Sequence, residues 1–207
     1  MFFKRLREDI AFAYANDPAA RSKFEIWLTY PGVKALSWHR YANFLYRIKL
    51  KLLANVTSKF ARFLTGIEIH PAAKIASGVF IDHGSGVVIG ETAEVEKGVL
   101  IYQGVTLGGT GAAREKRHPT LGNNVMVGCG AKVLGPFKVG DNVKIAANSV
   151  VLREVPDNCT VVGIPGHIVR VGGEKLDHIH TPDPIQLEIA ALSERVQQLE
   201  KLLQKEQ

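Results

Sequence analysis

An aliphatic residue recurs at every sixth position through the middle of the chain. Ile69, Ile75, Ile81, Val87, Ala93, Val99 and Val105 keep the beat; after a gap Leu121, Val127, Val133, Val139, Ile145 and Val151 resume it. A period of six belongs neither to a helix, which repeats every 3.6 residues, nor to a lone strand, which repeats every two. It is the period of a solenoid in which each hexapeptide forms one short face and three faces close a triangular coil. The in-phase aliphatics then stack inward, and their number predicts about four coils. On such a body, chemistry is confined to corners, to loops that interrupt the coil and to seams between copies.

The chain's 207 residues divide into three segments around this repeat. Residues 1–65 read as a helical amino-terminal domain. Asp17-Pro18-Ala19-Ala20 has the form of a helix start with Asp17 as cap. Tyr30-Pro31-Gly32 reads as a break. The spacing of Leu36, Tyr41, Phe44, Leu45, Ile48, Leu52, Val56, Phe60 and Phe63 predicts one or two amphipathic helices, with Trp38 and His39 as packing residues. Residues 66–170 are the coil. The interval from Val105 to Leu121 exceeds two repeats by four residues, which predicts a protruding loop within 108–119, glycine-rich at its root and basic at its tip. Residues 171–207 read as a polar linker and a carboxy-terminal helix. Ile185, Ile189, Leu192, Val196, Leu199 and Leu203 form a heptad seam too short to be stable alone.

Composition removes several classes of function. The net charge is +6, yet no basic groove interleaved with aromatics and no nucleic-acid motif is present. No apolar run approaches the roughly 20 residues that a membrane helix needs. The opening Met1-Phe2-Phe3-Lys4-Arg5-Leu6-Arg7 is too charged for a secretory signal, so a cytoplasmic location is expected, with neither nucleic acid nor membrane as partner. Cys129 and Cys159 form no C-x-x-C pair and read as structural thiols.

Seven histidines are the candidate bases. His178 and His180 lie in the polar tail; His39 and His167 read as structural; His70, before Pro71, suits a capping role. His83 differs, because it follows Asp82 in the glycine-flanked corner Ile81-Asp82-His83-Gly84-Ser85-Gly86. Glu68 lies about two repeats earlier, two faces round the coil, where contact with His83 is allowed but not forced by the spacing. A carboxylate there would set the imidazole tautomer and fit it to take a proton from an alcohol. Spacing alone leaves a general base and a structural corner equally open. Arg117-His118 close the loop, and Arg117 suits either a bidentate carboxylate contact or a mobile basic tip. A metal site is not expected. His70, His83 and His118 are 13 and 35 residues apart, unlike the paired histidines of the gamma-class carbonic anhydrases, which share a six-residue solenoid.

Four segments together carry a family resemblance. They are Ile69-His70-Pro71-Ala72-Ala73-Lys74-Ile75, Ile81-Asp82-His83-Gly84-Ser85-Gly86-Val87-Val88-Ile89-Gly90-Glu91-Thr92, Gly104-Val105-Thr106-Leu107-Gly108-Gly109-Thr110-Gly111 and Arg117-His118-Pro119. Over residues 10–170 the chain resembles the serine O-acetyltransferases of the hexapeptide-repeat acyltransferase family. Val162-Gly163-Ile164-Pro165-Gly166 is similar to the end of many such acyltransferases. The resemblance implies a mainly β fold, a left-handed parallel β-helix, against the usual right-handed crossover. It implies acetyl transfer from the co-substrate acetyl-CoA to the hydroxyl of L-serine, the first step of cysteine biosynthesis, without an acyl-enzyme. It implies His83 as general base with Glu68 as its partner, where aspartate is commoner. Asp17 and Asp82 then hold serine, Arg117 and His118 clamp its carboxylate, and Gly109, Cys129, Gly130 and Ala147 line the CoA groove.

Flat coil faces, the long loop and the carboxy-terminal heptad seam favour a homotrimer with the active site between neighbouring subunits, and L-cysteine is a candidate feedback inhibitor. The amino-terminal segment is shorter than in hexameric members, which favours a trimer. Many members end in an isoleucine that docks on O-acetylserine sulfhydrylase; here the chain ends in Gln207, so that complex is not expected. Two other readings stand beside this one: a hexapeptide acyltransferase for another hydroxyl or amine acceptor, and a trimeric scaffold without activity. An acidic pair opposite an arginine suits a zwitterionic amino acid better than a sugar. A scaffold has no need of Asp82-His83 and Arg117-His118 together.

Overall fold

A computed structural model describes residues 2–111, 115–172 and 192–196. Four helices come first: α1 (Phe2–Asn16), α2 (Lys23–Thr29), α3 (Pro31–Arg47) and α4 (Lys51–Thr65). The expected helix start at Asp17 is corrected. Asp17 closes a turn after α1, its Oδ1 accepting from the Ala19 N–H at 2.8 Å. The capping residue is Ser22, whose hydroxyl accepts from the Glu25 N–H at 3.1 Å to open α2. The break at Tyr30 is a single residue, with Pro31 at the first position of α3. Gly32 is inside that helix for a packing reason. A Cβ there would lie 2.0 Å from the Ile81 carbonyl oxygen, so only glycine lets α3 approach the coil this closely. The spacing from Val33 onward resolves into two helices, α3 and α4.

Fifteen short strands follow: β1 (Glu68–Ile69), β2 (Lys74–Ile75), β3 (Phe80–Ile81), β4 (Val88–Ile89), β5 (Glu94–Val95), β6 (Leu100–Ile101), β7 (Thr106–Gly108), β8 (Thr120–Leu121), β9 (Met126–Val127), β10 (Lys132–Leu134), β11 (Lys138–Val139), β12 (Lys144–Ile145), β13 (Val150–Val151), β14 (Cys159–Val162) and β15 (His167–Val171). They stack into three faces. The first is β1-β4-β7-β10-β13, the second β2-β5-β8-β11, and the third β3-β6-β9-β12-β14, with β15 added antiparallel. All other pairings are parallel, one coil on the next. Every aliphatic of the six-residue beat is buried. Ala35 and Leu36 of α3 join the same apolar cluster and close its first end.

The register holds two irregularities. Glu68 pairs with Val88, twenty residues on, whereas Thr120 pairs with Lys138 after the regular eighteen. The two extra residues fall between Ile81 and Val88, in the corner that carries Asp82 and His83. The beat conceals them because each hexad buries two aliphatic positions, and the run passes from one set (Ile69, Ile75, Ile81) to the other (Val87, Ala93, Val99, Val105). Glu94 pairs with Thr120, twenty-six residues on. The loop before β8 therefore adds eight residues to the regular coil, a correction to the four counted from the aliphatics.

Residues 1–173 form one compact unit and 174–207 a second. Of the heptad positions, Leu192 and Val196 lie in a helical stretch over 192–196; Ile185, Ile189, Leu199 and Leu203 lie outside the described residues, as do His178 and His180. Among the described residues no helix is long and apolar enough to cross a membrane.

His39 is a packing residue, as its sequence context predicts. It is buried beside the Ala73 carbonyl, and burial pushes its imidazole down to about 3. The folded chain thus holds it neutral while the unfolded chain protonates it below about pH 6.5. Stability should therefore rise with pH between about 3 and 6.5, by up to ~1.4 kcal/mol per pH unit from this group. Urea midpoints at pH 5 and pH 7 should differ by clearly less in His39→Leu than in the parent chain. An unchanged difference would contradict the assignment.

Candidate active site

Two corners of the coil carry the candidate residues. The first joins the third face to the first face. His83 stands there at φ 56°, followed by Gly84 at 69° and Gly86 at 72°, so the widened corner runs through the left-handed region. Histidine is among the few non-glycine residues that enter this region with any frequency, and such backbone gathers at functional sites. The His83 side chain is 77% exposed, and its Nε2 lies 3.9 Å from Asp82 Oδ1, beyond hydrogen-bond distance.

The same corner repeats in the coils beyond. The Gly104 N–H donates to the Ser85 carbonyl, the Gly130 N–H to the Gln103 carbonyl and the Asn148 N–H to the Cys129 carbonyl, each at 2.8 Å. Register therefore aligns His83, Cys129, Gly130 and Ala147 along one edge, with backbone close to the surface at each glycine. The helices bring Asp17 to this edge. The Tyr30 hydroxyl donates to Asp17 Oδ2, and the Tyr30 ring stacks on Phe80 of β3 with centroids 6.2 Å apart. The hydrogen bond to Asp17, then burial, with Asp82 adding, pushes the Tyr30 phenol up to about 12. Tyr102, one coil beyond Asp82 in register, is also raised, by burial first and then by Asp82 and Asp17. Asp17 and Asp82 thus act on the same two tyrosines and share one electronegative neighbourhood.

The second corner joins the first face to the second. Gly90, Glu91 and Thr92 follow β4, and the closing end of the loop packs on them. Arg117 NH2 meets Glu91 Oε2 at 2.6 Å. Thr92 Oγ1 accepts from the Arg117 N–H at 3.0 Å and the His118 N–H at 3.1 Å, and lies 2.9 Å from His118 Nδ1. Lys116 Nζ donates to the Thr92 carbonyl at 2.7 Å. A Cβ on Gly109 would fall 3.0 Å from Arg117 Cγ, so the two ends of the loop lie against each other. Arg117 is therefore seated at the loop's base. His118 is only 8% exposed; burial, then Arg117, holds its imidazole below the usual range. His70 has the bland role its context predicts, its Nδ1 accepting from the Ala72 N–H at 3.1 Å.

Glu68 lies on the first face, between the two corners. Its Oε1 accepts from Lys59 Nζ and its Oε2 meets Arg62 NH1, both at 2.8 Å, and the Lys59 bond leads in holding its carboxyl below the usual range. No hydrogen bond or ion pair joins it to His83. The candidates are thus divided: Asp17, Asp82, His83, Cys129, Gly130 and Ala147 on one edge of the first face, Gly109, Arg117 and His118 on the other. The first-face strands run two or three residues, and with the residues that flank them the face spans on the order of 13 Å. Sequence reasoning assigned no role to Tyr30, Tyr102, Glu91 or Thr92. Strand register was the missing signal, because it stacks Tyr102 on Asp82 and sets Glu91 and Thr92 under the loop. Among the described residues no group of three or more His, Cys, Asp or Glu side chains could hold a metal ion.

The family model described as bacterial transferase hexapeptide (six repeats) matches residues 118–153. A serine acetyltransferase of Synechococcus elongatus is 53% identical over 98% of this chain and 84% of its own. A Neisseria gonorrhoeae serine acetyltransferase solved in complex with serine is 38% identical, with a TM-score of 0.79 over 82% of this chain and 69% of its own. Serine acetyltransferases solved with CoA and with cysteine are each 40% identical. Their TM-scores are 0.78 and 0.82, over 81% and 83% of this chain and 70% and 66% of theirs.

Proposed function

The chain belongs to the serine acetyltransferases, and we propose that its active site forms between two copies, His83 of one facing Arg117 and His118 of the next. Its fold is the left-handed parallel β-helix of that family with an α-helical amino-terminal region. It moves the acetyl group of acetyl-CoA to the hydroxyl of L-serine, releasing O-acetyl-L-serine and CoA. The observation that carries the shared site is the division of its residues between opposite edges of one face. Serine is too small to touch both edges of one chain. A neighbour that sets its second corner against the first corner of this chain brings them together. Repeated around a threefold axis, that contact closes as a homotrimer. Large apolar side chains left uncovered on α4, Leu52 at 80% and Phe63 at 84% exposed, support self-association of the helical region.

In this reading Asp17 and Asp82 receive the serine ammonium, and Arg117 and His118 of the neighbour receive its carboxylate. CoA lies along the edge with Cys129, Gly130 and Ala147, and Gly109 borders it from the neighbour. His83 takes the hydroxyl proton as the oxygen attacks the thioester carbonyl, and the proton then goes to the departing CoA thiolate. Glu68 serves as its carboxylate partner by exchanging Lys59 and Arg62 for His83; Asp82 already flanks the ring. L-Cysteine presents the same ammonium and carboxylate with sulfur in place of oxygen, so it competes for the same clamp and acts as feedback inhibitor.

Co-expression of His83→Ala and Arg117→Ala chains tests the shared site. Each variant alone should be nearly inactive. In random trimers about a quarter of the sites combine both intact corners, so co-assembly should restore about a quarter of the parent activity. A mixture no more active than either variant alone would place the site within one chain.

A further inference from the structure

We infer that Thr92 is a positioning residue that fixes His118 in one tautomer, with its proton on Nε2, so that it meets the substrate as a hydrogen-bond donor. The inference rests on the site reading above, in which His118 faces the neighbour's serine. A hydroxyl has two acceptor positions and one proton. The Arg117 and His118 N–H groups, at 3.0 and 3.1 Å, fill both acceptor positions of Thr92 Oγ1. Its proton is left to donate to His118 Nδ1 at 2.9 Å. The Thr92 backbone N–H also points at Nδ1, at 3.2 Å. Two donors aimed at one ring nitrogen require it to be an unprotonated acceptor. The proton of the neutral imidazole is therefore on Nε2.

Gly90 completes the seat. A Cβ at this position would lie 2.0 Å from both His118 Cδ2 and Nε2, so the ring rests against bare backbone and any side chain there would expel it. The charged and titratable groups around the ring are Arg117, Glu91, His70 and Lys116, and together with burial they keep it neutral on balance. A neutral Nε2–H donor suits a clamp for the serine carboxylate. It leaves proton removal to His83 alone, and the two histidines of the site then have separate tasks. Outer residues that orient a functional imidazole commonly matter 10- to 100-fold.

The test is nitrogen-15 NMR of the histidine rings in the intact protein, with steady-state kinetics of Thr92→Ser, Thr92→Val and His118→Ala. The parent chain and Thr92→Ser should show His118 Nδ1 unprotonated at neutral pH and agree in kcat within about twofold. Thr92→Val should alter the Nδ1 signal and lose about 10-fold or more in kcat/KM for serine, with KM for acetyl-CoA little changed. A protonated Nδ1 in the parent chain, with His118→Ala impaired, overturns the tautomer assignment alone. A fully active His118→Ala overturns it by removing the site reading on which it rests.

Discussion

Turnover of L-serine and acetyl-CoA should fall at least about 10²-fold in His83→Ala, with the fold intact. General-base catalysis contributes 10² to 10⁴ in rate, and in the proposed site His83 takes the serine proton. Asp82, 3.9 Å away, flanks the ring. The side chain is 77% exposed, so its removal deletes little packing. The helices and the inward aliphatics should therefore be untouched, and circular dichroism and the thermal midpoint should match the parent chain. KM for acetyl-CoA should change little, since in the proposed site CoA lies along later coils. A folded variant with near-parental turnover would take His83 out of the reaction.

The second large effect is expected far from the chemistry. Asp9 of α1 is fully buried, with its Oδ1 accepting from the Gly78 N–H at 2.9 Å and its Oδ2 2.5 Å from NH2 of Arg40. Burial pushes its carboxyl up, and Arg40 opposes that. The pair fastens α1 to α3 and to a corner of the coil, and so steadies the helical platform that carries Asp17 to the edge it shares with Asp82. Asp9→Ala leaves a buried guanidinium unpaired and a buried N–H unmet. The loss of a partner in such a pair costs about 3–5 kcal/mol. Asp9→Asn keeps an acceptor for Gly78 and should lose less. Urea unfolding measures both, and KM for serine should rise in Asp9→Ala as Asp17 loses its anchor. A loss below about 1 kcal/mol would contradict the role given to this pair.

The coil was legible in the sequence because its core is periodic, and every inward aliphatic predicted from the beat is buried. The insertions were not legible at their true size. Each hexad offers two aliphatic positions, so a shift of two residues at the His83 corner leaves the beat unbroken. Asp17 was misread as a helix cap because aspartate before proline suits a cap and a turn alike. His83, Arg117 and His118 stood out in local motifs as candidates. Their division between two edges was not legible, because it depends on how many residues each face and corner takes up. Tyr30 carries no motif, and the motif that ends in Thr92 gives it no role; both emerge only when α2 is set against β3 and the loop against β4. Gly32 looked like a turn residue and is a packing residue, since a helix in contact with a carbonyl leaves no trace in sequence.

The central claim, that this chain acetylates the hydroxyl of L-serine with His83 as base, is tested most directly by CoA release from acetyl-CoA. The purified parent chain and His83→Ala should be offered L-serine, D-serine, L-threonine, a hexose and a primary amine in turn. The parent chain should release CoA with L-serine far above the other acceptors, mass spectrometry should find O-acetyl-L-serine, and His83→Ala should release almost none. Release with another acceptor at equal or higher efficiency, or parental release by the His83→Ala chain, would contradict the account.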